Sequence, residues 1–101
     1  MNSKFGGVIW TNHALGKLKE RGIKQSDAWA TWRNPEQSRK AKVQGAWVYY
    51  KTYGSEKIEV VAKKNERGEW IILSVWSKPV FKKSGNESFW VFLLKKIFER
   101  S

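Results

Sequence analysis

His13, the only histidine of the chain, stands at the head of a segment, TNHALGKLKERGIK (residues 11–24), in which Lys17 and Arg21 follow at four-residue steps. Residues four apart share one face of a helix. The segment therefore predicts a titratable imidazole and two fixed cations in one line. Like charges at that spacing repel by a few tenths of a kcal/mol, so an anionic ligand is the natural complement of the row. One chemistry that needs this set is metal-free cleavage of RNA. A base takes the proton of the 2′-hydroxyl, an acid protonates the leaving 5′-oxygen, and cations stabilise the crowded phosphorane. Histidine is the residue type suited to acid or base work near neutral pH, which makes His13 the candidate. Arg21 and Lys17 suit a phosphate clamp, the arginine through its planar fork. Ser74, the lone hydroxyl in the apolar run EWIILSVW, is a candidate to donate to a phosphate oxygen or position the 2′-hydroxyl. Tyr49 or Tyr50 is a candidate second acid or base-stacking surface. Each has a plainer alternative: a solvated histidine, a solvated basic helix face, a serine bonded within its sheet, tyrosines chosen as strand formers.

Charge points the same way. Twenty Lys and Arg against nine Asp and Glu leave a formal charge of +11 on 101 residues. That raises the potential over the whole surface and favours polyanions. The excess is uneven: residues 37–51 hold Arg39, Lys40, Lys42 and Lys51 without an acid, and residues 70–86 hold Lys78, Lys82 and Lys83 without one. Arg39, Lys40, Lys42, Tyr49, Lys51 and Lys78 are thus the expected RNA-binding set. The absence of cysteine excludes disulfides and thiolate zinc sites. One histidine and scattered carboxylates offer no transition-metal constellation, so no metal and no cofactor is expected. The N-terminus lacks a basic region followed by an apolar run, which makes the cytoplasm the default compartment.

The elements that must position these groups follow from periodicity. Residues 5–10 read as a brief strand or extended lead-in. Thr11 or Asn12 caps a first helix with Ala14, Leu15 and Leu18 on its core face and Gly22 at its left-handed end. Ser26 is the expected cap of a second helix that offers Ala28, Trp29 and Trp32, stopped by Asn34-Pro35. Alternation then predicts strands over 37–43, 46–53, 57–64 and 69–76, with turns at Gly54-Ser55 and Asn65–Gly68. The last strand is nearly all apolar and so expected to run through the sheet centre covered on both faces, with Ser74 sharing a face with Trp70, Ile72 and Trp76. Residues 86–100 predict an amphipathic C-terminal helix, too short for a bilayer, which needs ~20 residues. Docking on the sheet, self-association and lying on a membrane surface are its three readings. Most of the seven tryptophans are expected in the core, one or two as stacking surfaces. The expected fold is α+β, in one domain (core 8–78): two N-terminal helices packed on a three- to four-stranded antiparallel sheet, with the C-terminal amphipathic helix.

The run T-x-HA-x-x-(K/R)-x-x-x-RGI, a second short helix ending in NPE, and a closing WII-x-(S/T)-V-aromatic strand resemble a family of small bacterial domains. That family is placed in the superfamily of barnase, EndoU, colicin and RelE-like toxins. The residues that carry the likeness run from Thr11 through Asn34, Pro35 and Glu36 to Ser74, Val75 and Trp76. The resemblance implies a RelE/barnase-like fold and a metal-independent ribonuclease. His13, Lys17 and Arg21 would turn toward the sheet cleft, and Ser74 would stand at the usual Thr or Ser of the last strand. It departs from the family pattern at Lys17, where arginine is usual, and at Trp76, where tyrosine is commoner; an indole supplies no proton. The expectation is a metal-independent endoribonuclease toxin, with an acidic antitoxin or immunity protein as partner and no integral membrane segment. The rival expectation is a non-catalytic RNA-binding or ribosome-associated basic module.

Overall fold

The computed structural model describes residues 2–80. A 3-10 turn at Phe5–Gly7 leads into β1 (Ile9–Trp10), α1 (Asn12–Arg21), α2 (Gln25–Arg33), β2 (Gln37–Lys40), β3 (Ala46–Tyr53), β4 (Glu56–Lys64) and β5 (Trp70–Pro79). The strands form one sheet in the order β1-β5-β4-β3-β2.

The helices end where local chemistry stops them. Thr11 accepts a hydrogen bond from the Ala14 amide at 3.0 Å and opens α1. Gly22 closes it at φ 64, ψ 31, a conformation glycine adopts without Cβ strain. For α2 the expected Ser26 cap is corrected. The helix begins at Gln25, with Lys24 at the cap position and no side-chain bond there. Its first turn is held instead by backbone bonds from Asp27 and Ala28 to the Lys24 carbonyl.

Both helices bury one stripe on the same sheet face. Ala14 and Leu18 of α1 and Ala28 of α2 are fully buried against Ile58, Val60 and Ala62 of β4 and Ile72 and Val75 of β5. The N-terminal turn is pinned to this core by two indoles. Trp10 donates to the Phe5 carbonyl at 2.9 Å and Trp29 to that of Gly6 at 3.0 Å. A hydroxyl pair ties α2 to β3: Thr31, fully buried, donates to the Asp27 carbonyl at 2.8 Å, and Tyr53 Oη lies 3.2 Å from both.

The expected three- to four-stranded antiparallel sheet is overturned. The sheet is five-stranded and mixed, because β1 pairs parallel to β5 through Ile9–Ile71 and Trp10–Ile72. Two residues carry no readable alternation, and a parallel partner reached only after two helices and three strands leaves no local hairpin signature. The expected C-terminal helix over 86–100 lies outside the described residues.

A second correction concerns β5. Ala62 pairs with Ile72 and Val61 with Ser74, so Leu73 is an extra residue on β5, a β-bulge. Before it, Trp70 and Ile72 face the helices. After it, Val75 and Ser77 do, and Ser74 and Trp76 turn to the opposite face. Ser74 therefore does not share a face with Ile72 or Trp70. Nor is β5 covered on both faces, since Trp76 is 41% exposed.

Candidate nucleic-acid interface

The bulge gives the sheet face away from the helices its aromatic centre. On β4, Ile58, Val60 and Ala62 point to the core, which sends Lys57, Glu59 and Val61 to the other side. Cross-strand partners share a face. Glu59 pairs with Trp76 and with Tyr50, Val61 with Ser74 and Val48, and Lys57 with Lys78. From β2, Arg39 joins opposite Val48.

Helix α1 closes one side of this face. β1 covers β5 only as far as Ile72, and beyond it α1 supplies the missing partners. Thr11 donates to the Leu73 carbonyl at 3.1 Å, and Arg21 Nη1 to that of Ser77 at 3.2 Å. The helix therefore runs beside the free edge of β5 with Thr11 near the bulge and Arg21 near Ser77. Its side chains reach over the edge. The Arg21 guanidinium carbon lies 3.2 Å from the centre of the Trp76 ring, and Lys17 Nζ lies 5.2 Å from it. A cation over an indole is attracted by the ring quadrupole, and the flat guanidinium can stack while keeping in-plane donors. Lys17 also pairs with Glu20 at 3.3 Å. His13 is exposed one helical turn before Lys17, toward the Ser74 end of the row.

Further along the same face, the carboxylate of Glu59 gathers three cations. Lys78 approaches at 2.8 Å, Arg39 at 3.8 Å and Lys57 at 4.0 Å. Lys57 also lies 4.0 Å above the ring of Tyr50. Beside them Glu36, Gln37, Tyr50, Thr52, Lys57 and Val80 line an open recess of about 400 Å³. Five cations thus converge around one buried-edge carboxylate and one exposed indole. Coulomb repulsion among them is offset only in part by Glu59 and, at Lys17, by Glu20, which leaves a net positive local charge.

The residues expected from sequence divide between the two faces. Lys17, Arg21, Ser74, Arg39 and Lys78 meet on or over the face away from the helices, where Val48 is itself buried, and His13 extends their row. Lys40 pairs with Trp47 and Lys51 with Ile58, which assigns both to the helix side. Lys42 is in the β2–β3 loop. Tyr49 also faces the helices, edge-on to Trp70 at 6.2 Å. Burial pushes its hydroxyl above the ordinary tyrosine value, the wrong direction for an acid at neutral pH. Glu59 and Lys57 were missed. The alternation K-I-E-V-V-A-K from Lys57 to Lys63 carried the signal, because it sets a lone acid on the polar phase of an otherwise apolar strand. Among the described residues no group of three His, Asp or Glu could hold a metal ion, and no helix is long and apolar enough to cross a membrane.

The model of a family described as a domain of unknown function, DUF4258, matches residues 10–77. The chain belongs to this family. The DUF4258 match runs from Trp10 in β1 to Ser77 in β5 and so takes in α1, the bulge, Trp76 and Glu59. No curated protein and no solved structure matches the chain.

Proposed function

We propose that this DUF4258 domain is a metal-independent endoribonuclease of toxin type that grips RNA on its open sheet face. The observation that carries this reading is the convergence of Lys17 and Arg21 on Trp76, on the strand face that also bears Ser74. Fixed cations, a hydroxyl and an exposed ring adjoin there, with a titratable group next along the helix.

In this reading Arg21 and Lys17 hold the scissile phosphate, and Ser74 donates to a phosphate oxygen or orients the 2′-hydroxyl. The 2′-oxygen attacks phosphorus while its proton passes to a base. The bond from phosphorus to the 5′-oxygen breaks, and that oxygen takes a proton from an acid. The products end in a 2′,3′-cyclic phosphate and a 5′-hydroxyl. His13 fills one of the two proton-transfer roles. Trp76 supplies no proton, but its exposed side offers a stacking surface of the kind single-strand binders use. The motif likeness to the barnase, EndoU, colicin and RelE-like toxins supports the same chemistry. An acidic antitoxin or immunity protein covering the face, and action in the cytoplasm, belong to the proposal.

A non-catalytic RNA-binding module is the second reading. One observation favours it: Arg21 is already tied to the Ser77 carbonyl and stacked on Trp76, which is a structural use of the arginine. The two part at His13. Total RNA and translating ribosomes are incubated in EDTA with wild-type protein or His13→Ala. Cyclic-phosphate ends lost in the variant, with RNA affinity within a few-fold of wild type, support the nuclease. Intact RNA with both proteins, despite salt-sensitive binding, supports the module.

A further inference from the structure

The carboxylate of Glu59 sits low in the open face, with a side chain 12% exposed, while the cations around it reach outward. The side chains of Arg39 and Lys78 are 55% and 51% exposed. Only the Lys78 contact, at 2.8 Å, has the length of a hydrogen bond. Arg39 at 3.8 Å and Lys57 at 4.0 Å are held by charge alone, so their donors remain available to a ligand lying above the sheet. Among the described residues this arrangement is a shallow cationic ring whose Arg39 and Lys78 side chains reach solvent, with a carboxylate at its base.

We infer that the ring of Arg39, Lys57 and Lys78 is a second phosphate seat, adjoining the one at Trp76, and that Glu59 is its built-in competitor. The inference rests on the reading of this face as RNA-binding. With no ligand present, Glu59 keeps three mutually repelling cations gathered. When a phosphodiester arrives, the exposed heads of Lys78 and Arg39 exchange the carboxylate for phosphate oxygens, and nothing in the core moves. The seat is placed for the next phosphate of the same strand. Glu59 and Trp76 are direct cross-strand partners, and Trp76 and Lys78 are two residues apart on one strand face, about 7 Å. A strand crossing Trp76 under the Arg21 clamp therefore reaches the ring within about one nucleotide. Glu59 sets the cost of entry. A ligand presenting several phosphates in a row overcomes the competition, whereas a single anion meets an occupied site.

The test uses a fluorescent, uncleavable 2′-O-methyl oligoribonucleotide of mixed sequence, bound to the full chain and followed by anisotropy across a salt series. Glu59→Gln removes the competing charge at nearly constant shape. It is expected to tighten binding by about 3- to 10-fold at low salt and to steepen the salt dependence by about 0.7 in log Kd per log salt, one phosphate's worth for a single strand. Glu56→Gln makes the same change in net charge on the helix-side phase of β4 and is expected to shift binding less than about 2-fold. Lys78→Gln weakens binding, and weakens it more when Glu59 is already Gln. If wild type binds and Glu59→Gln binds equally or more weakly, the inference is overturned while the RNA reading stands. If wild type does not bind, both fall. Should Glu59→Gln fail to fold, the wild-type protein supplies the answer: the side-chain carboxyl 13C signal of Glu59 moves on saturation with the oligonucleotide while that of Glu56 stays. A Glu59 signal that stays in place overturns the inference.

Discussion

Replacing Arg21 with methionine keeps most of the stem that packs beside β5 and removes the guanidinium. Three effects then compete. Loss of the stack on Trp76 costs about 1 kcal/mol, the lower part of the range because both partners are partly exposed. Loss of the charged donor to the Ser77 carbonyl costs about 1.5 kcal/mol. Against these, Arg21 Nε is buried without a hydrogen-bond partner among the described residues, and removing it returns about 1 kcal/mol. The net loss is about 1.5 kcal/mol, or a fall in Tm of about 6 to 12 °C for a domain of this size. Arg21→Lys keeps the charge near the ring without the flat stack or the fork, and is expected to lose about half as much. Urea unfolding followed by tryptophan fluorescence measures both, with an unchanged m-value as the check that only stability moved. A methionine variant within about 0.5 kcal/mol of wild type, the range of an ordinary surface substitution, would refute the claim that Arg21 ties α1 to β5. It would leave the residue as a charge and nothing more.

Three further perturbations test the frame around the site. Gly6 has φ +69 and its missing Cβ would strike the Trp29 indole, so Gly6→Ala is expected to cost about 2 kcal/mol and to shift tryptophan emission to the red as Trp29 leaves its carbonyl. Thr31→Val keeps the buried shape but deletes the hydroxyl shared with Asp27 and Tyr53; urea unfolding should read a loss of about 1 kcal/mol. Tyr49 holds its phenol proton more tightly when folded than the ordinary 10.0. Below that value both states are protonated and this residue gives no pH dependence; above it the unfolded chain ionises first and stability falls. Urea midpoints from about pH 9 to 11 should therefore fall less steeply in Tyr49→Phe than in wild type.

The elements set by local chemistry were readable in the sequence. Thr11 and Gly22 bounded α1, Asn34-Pro35 ended α2, and Gly54 marked the β3–β4 hairpin. Even the alignment of Lys17 with Arg21 followed from helical geometry alone. What escaped depended on a partner strand. The periodicity of β5 is even within itself, yet Leu73 has no opposite number on β4, and one unpaired residue exchanged the faces of everything after it. Ser74 and Trp76 thus left the face that their alternation with Trp70 and Ile72 gave them. β1 was readable only as a brief strand or extended lead-in over residues 5–10, for the related reason that its parallel pairing acquires meaning only from Ile71 and Ile72. The tyrosine at 49 and the lysine at 51 lie on the helix side, which was not readable because alternation separates two faces without saying which one the helices take. Glu59 was overlooked because an isolated acid in a basic chain reads as a solubilising charge until its three cations are seen around it.

The bond between Arg21 and Ser77 spans 56 residues, and that between Thr11 and Leu73 spans 62. During synthesis α1 emerges long before the strand it must lean on. The hairpins of β2, β3 and β4 can form from near neighbours, but the edge that α1 completes does not exist until β5 is made. Non-local closure of this kind is the slow part of folding. The contacts of Lys17 and Arg21 with Trp76 consequently cannot form until β5 has been made. A chain cut short before β5 carries the whole His13–Lys17–Arg21 row and none of the surface against which that row could act.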